Sequence, residues 1–150
     1  LFGTSAETDL QATFKIVKNK NRVVNDNDIK ARVVDAINEY FSLENWDFGE
    51  TFYFSELAAY IMKQTAPDIS SIVLVPKSET QSFGSMYELK SENDEILISS
   101  ASVSDIEVID SITASRLKAT ANVITSNEVL NTGVQSTTTS TTTITEGNNY

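Results

Sequence analysis

Residues 28–75 constrain the chain more than any other stretch, because they read as helix, aromatic crossing, helix and buried strand in unbroken succession. Ile29, Val33, Ile37, Tyr40 and Phe41 recur at helical spacing and make one apolar stripe. Asn25 or Asn27 can cap its start, and Asp26 and Asp28 suit the positive end of the helix dipole. Leu57, Tyr60 and Ile61 make a second, shorter stripe. Ser55 fits as its N-cap, and Pro67 ends it near Ala66. Residues 72–75 are a continuous apolar run, the pattern of a central strand covered on both faces. The predicted core is therefore Ile29, Val33, Ile37, Tyr40, Leu57, Ile61, Ile72 and Leu74.

Between the two helices lie Leu43, Trp46, Phe48, Phe52, Tyr53 and Phe54, the densest aromatic cluster of the chain. These rings can form a lid over the helix–sheet core. They can also form a partner surface, because Trp, Tyr and Phe are favoured at the centres of interfaces. Trp46, Phe48, Phe52, Tyr53 and Phe54 are the candidate interface residues, joined by Ile144 of the distant tail. Gly49 allows a turn that a side chain would obstruct.

The flanks add strands. Residues 1–9 are small and polar and read as a linker from a longer chain, of which this is a fragment or processed product. Residues 10–17 alternate and predict a half-buried strand. Lys18, Lys20 and Arg22 make a basic, turn-forming run, read first as a solvated loop and second as a phosphate site. Strands are predicted over 86–90 and 95–99 around a turn at 91–94, and again over 106–109. The order is strand, helix, helix, strand, strand, strand. It predicts an α+β domain over 10–112, with two helices packed on one face of a mainly antiparallel sheet, ferredoxin-like in outline. Residues 113–150 predict a C-terminal helix or an extended arm with a Thr-rich tail, which could add to an open sheet edge.

A net charge of −10 argues against nucleic acid or an anionic membrane surface as a partner, since both need a basic footprint. With no histidine and no cysteine, the commonest general base, thiolate chemistry and the usual zinc ligands are missing. A Ser-His-Asp triad is excluded, and nothing marks a Ser-Lys pair. Residues 25–28 begin like a calcium loop but lack its glycine and its distant glutamate. Glu88, Glu92, Asp94 and Glu95 could pair for acid–base work, but their place around a turn predicts solvated carboxylates. The expectation is no enzyme, no cofactor and no metal.

A resemblance follows from the quoted stretches. Trp46-Asp-Phe-Gly-Glu-Thr-Phe-Tyr-Phe-Ser-Glu-Leu, Ala66-Pro67, Ser71-Ile-Val-Leu-Val-Pro, Glu95-Ile-Leu-Ile and Asp105-Ile-Glu-Val-Ile resemble the C-terminal part of baseplate J-like proteins. Within that family they are most similar to the ring-forming wedge subunit of T4-like contractile-tailed phages. The resemblance covers residues 10–112 and leaves out the Thr-rich tail. It implies a structural virion protein of the tail baseplate, assembled in the host cytoplasm. Its partners would be itself, as a homodimer or ring around the hub, and other wedge subunits. The alternatives are a small-ligand-binding or enzymatic α+β domain, or a phage adhesion module.

Overall fold

A computed structural model describes residues 1–112, all of them in one compact unit. Helix α1 (Asp26–Tyr40) forms along the first stripe. Asn25 is its N-cap: the side-chain oxygen accepts the backbone N–H of Asn27 at 2.8 Å and of Asp28 at 3.3 Å. Two of the donors that a helix start leaves orphaned are thereby satisfied. Ile29, Val33, Ala36 and Ile37 line the buried face. Tyr40, expected in the core, is only half-buried, because its hydroxyl turns outward to Glu56 at 3.4 Å.

A short strand β2 (Thr51–Tyr53) precedes helix α2 (Phe54–Thr65). The helix starts ahead of the expected Ser55 cap. Tyr53 holds the cap position with no side-chain bond. Tertiary contact sets this start instead: Phe54 is buried, and its N–H donates to the Tyr87 carbonyl at 2.8 Å. At the other end Ala66 is extended before a cis Pro67, and the helix stops where proline chemistry predicts.

The main sheet has three strands, β1 (Ala12–Lys18), β3 (Ile69–Pro76) and β5 (Ile106–Ile109), in the order β3-β1-β5. β1 pairs antiparallel with β3 and parallel with β5. The fold is α+β, as its order of elements predicts, with a mixed three-stranded sheet. Residues 72–75 lie on an edge strand; the central strand is β1. Phe14 and Ile16 of β1, level with Leu74 and Ile72 on β3 and with Ile106 on β5, enter one core with the buried faces of both helices.

The half-buried expectation for β1 is also corrected. Thr13, Lys15 and Val17 on its opposite side are buried as well. Lys15 pairs there with Glu107 of β5 at 3.2 Å, and Lys77 pairs with the buried Asp105. A buried lysine keeps an alternating strand from looking central in sequence, although here it is.

The later strands differ most. β4 (Glu88–Lys90) is shorter than predicted and pairs with β2 in a separate ribbon, Phe52 opposite Leu89. Residues 95–99 form no strand. Their backbone is engaged elsewhere: the Glu95 carbonyl accepts Gly49 N–H at 2.9 Å, and the Ile98 carbonyl accepts the Leu1 amine at 2.6 Å. Residues 1–9 are accordingly no linker. Phe2 N–H donates to the Leu10 carbonyl, the Phe2 carbonyl accepts Ala12 N–H, and a 3-10 turn at Thr8–Leu10 leads into β1. Phe2 itself is fully buried.

Candidate functional site

Phe2 organises the aromatic crossing from inside. Its ring meets Phe14 at 4.9 Å and both Phe41 and Phe52 at 5.8 Å, all edge-on. Edge-to-face contact is the favourable arrangement for ring quadrupoles. Trp46 stacks on Phe41 at 5.2 Å, and its indole N–H donates to the Tyr40 carbonyl at 2.9 Å. Phe54 packs against Tyr87 at 4.6 Å. Trp46, Phe52 and Phe54, expected at an interface, are therefore core residues. Ile144 lies outside the described residues, as do the predicted helix or arm and the Thr-rich tail.

Phe48 and Tyr53 do face solvent, at 65% and 41% exposure, with Leu43 beside Phe48 in the loop at 69%. This loop is fixed. The Asn45 amide donates to the Glu39 carbonyl at 3.1 Å and to Ser42 Oγ at 2.9 Å. Trp46 anchors its middle, and Gly49 ends it with a φ of 79°. A Cβ at Gly49 would find ordinary contact distance, so glycine is needed there for the left-handed backbone rather than for space. Two large apolar side chains thus stand out on a braced loop, among eight exposed large hydrophobics of the described residues, and they make it the candidate contact surface. Residues 39–50 also carry Glu39, Glu44, Asp47 and Glu50 with no base among them.

The opposite end of α1 carries the basic run. A groove of about 390 Å³ opens there, with Val17, Val108 and Ile109 as apolar lining and Lys18, Lys20 and Arg22 around them. Lys18 is tied to the Val24 carbonyl at 2.8 Å and to Asp26. Asp68 receives Arg32 at 2.7 Å and Arg22 at 2.9 Å. The Arg32 hydrogen bond first, and Arg22 after it, hold the Asp68 carboxyl below its ordinary range against the opposing effect of burial. Lys20 is exposed and carries no ion pair among the described residues.

The remaining candidates have plain roles. Residues 25–28 build the helix cap. Glu88, Glu92, Asp94 and Glu95 are all exposed. Among the described residues no three acidic side chains converge as a metal site, and no helix is long and apolar enough to cross a membrane. Burial first, and Glu56 after it, push the Tyr40 phenol up to about 12.

The β3 edge of the sheet offers little to a docking strand. Pairing of β3 skips a residue at Ser70, the outward Leu74 N–H is directed at the Tyr87 hydroxyl at 3.5 Å, and Pro76 has no N–H. Bulge, cover and proline are three ways to blunt an edge. Phe2 and Met86 are buried core residues that no helical or strand period in their surroundings reveals. Compared with family models, curated proteins and solved structures, the chain matches none.

Proposed function

We propose that the chain is a structural interaction domain of a phage tail baseplate wedge, which meets further copies of itself and other wedge subunits. One observation carries the reading: a braced loop holds Leu43 and Phe48 in solvent while Trp46, Phe52 and Phe54 of the crossing fill the core. Exposed large apolar groups cost solubility unless a partner covers them. The resemblance of residues 10–112 to baseplate J-like wedge proteins supplies the kind of partner. Such a protein works by making and repacking interfaces, without bond chemistry, in a virion baseplate assembled in the host cytoplasm.

Among the described residues, the groove beside Val17 is the place the alternative, a small-ligand or enzymatic domain, would use. Of its cations, Lys18 and Arg22 are already engaged with this chain's own carboxylates. The deciding experiment is the mass of the purified chain in solution, alone and with the full-length wedge. A concentration-dependent rise above the monomer, or a stable complex, supports assembly. A monomer in both cases sinks it.

A further inference from the structure

We propose that residues 113–119, which follow β5 in the chain, cover the second face of the three-stranded sheet and add a third layer to the domain. The inference concerns the chain's own surfaces and stands whatever the domain assembles with.

The helices account for one face of the sheet only. Ala12, Phe14 and Ile16 of β1 enter the core that both helices and Phe2 share. Thr13, Lys15 and Val17 alternate with them and so point the other way. Thr13 is level with Val75 on β3, Lys15 with Glu107 on β5, and Val17 with Ile109 on β5. This second face is closed to water. Lys15 is 1% exposed, Val75 2%, Thr13 5% and Ile109 7%. Yet Val17, Val75 and Ile109 stand outside the cluster that the helices build with the first face. A sheet face left to solvent carries polar side chains, and a lysine on it keeps its ammonium in water. A lysine buried in the middle of the central strand therefore needs a layer above it. Both α1 and α2 are already engaged on the other side.

Two observations name the occupant. The first is where the described chain stops. It ends at Ile112, just past β5, and the compact unit runs on to Ala119. Residues 113–119 are thus tethered beside this face at high local concentration, whereas a second copy would have to arrive from solution. The second is composition. Ala114, Leu117 and Lys118 are spaced i, i+3 and i+4, one side of a helix, and Leu117 is the single large apolar residue of the segment. Arg116 and Lys118 bring two bases and no acid, in a chain with 21 acids to 11 bases. They come to a face where the Glu107 side chain is still 45% exposed beside Lys15. An aliphatic anchor flanked by bases suits a face of Val17, Val75 and Ile109 with a carboxylate at its rim. A face covered in this way is closed to other subunits, and the folded domain extends beyond the boundary at residue 112 that the sequence pattern suggests.

The chain has no cysteine, so a single introduced thiol reports its own burial. In the full chain, Thr13→Cys places one on the second face and Ala36→Cys places one in the helix core. Both thiols should react with a maleimide at least about tenfold more slowly than in the denatured chain, at every protein concentration. Adding Leu117→Asp should speed the reaction of Thr13→Cys about tenfold and leave Ala36→Cys as slow as before. If both accelerate, the new charge has unfolded the domain, and the milder Leu117→Ala decides: Thr13→Cys must still accelerate alone. A Thr13→Cys thiol that labels freely with Leu117 intact means that the face is open, and the inference falls. Protection that ignores both changes at Leu117 means that another part of the chain is the cover. Protection that grows with protein concentration means that a second copy is. Either result overturns the proposal.

Discussion

Phe2 is a single ring whose removal should be felt throughout the core. It touches Phe14, Phe41 and Phe52, and its backbone pairs in parallel beside Gln11 at the start of β1. It also holds a φ of 80°, a left-handed conformation that a bulky residue adopts only when its surroundings repay the strain. Phe2→Ala should cost about 3–5 kcal/mol in denaturant melts, the range for emptying a buried Phe site. A linker residue would cost nothing measurable. Gly3→Ala gives an independent check, since an added Cβ would stand 1.9 Å from the Ser100 carbonyl oxygen. It should lower stability in the same direction without touching a ring. Nothing in the sequence around Phe2 has a period, so its burial is not legible there; the contacts that bury it come from residues far along the chain. Tyr40 supplies a pH prediction. Its phenol is pushed up to about 12, so the folded chain keeps a proton that the unfolded chain releases from about pH 10. This contribution to stability is full below pH 10 and is lost as pH rises toward 12. Tyr40→Phe should flatten the alkaline limb of the stability profile, with the limb unchanged if the phenol is unperturbed.

The helices show which parts of the fold local chemistry specifies. α1 has its stripe, its cap and its first-turn acids within one window, and it forms over Asp26–Tyr40. Ile37→Ala should cost about 2–5 kcal/mol, as for other buried Ile sites, and a loss below about 0.5 kcal/mol would mean that the stripe is not core. Asn25→Ala should cost about 0.5–2 kcal/mol, because two backbone donors lose their acceptor. Asn25→Asp should recover most of that loss. The strands are a different case. Whether β1 is central depends on β5 arriving in parallel from ninety residues away, and on Glu107 neutralising Lys15. Residues 95–99 alternate well enough for a strand, yet Gly49 and Leu1 take their carbonyls first. The same division runs through the candidate site. That the crossing is aromatic is evident from composition, but which rings turn inward depends on where Phe2 sits.

At the scale of the whole molecule, a net charge of −10 makes the approach of one copy to another repulsive at long range. At about 0.01 M ionic strength the screening length is ~30 Å, so each copy feels the whole charge of its neighbour. Near 0.1 M the length falls to about 10 Å, and near 1 M to about 3 Å. Salt therefore removes the repulsion while leaving the burial of apolar groups in place. Self-association through exposed side chains such as Leu43 and Phe48 should strengthen as ionic strength rises from about 0.01 M to about 1 M. Sedimentation equilibrium across that series reads it directly. An association that weakens over the same range would mean that opposite charges make the contact, and not apolar groups.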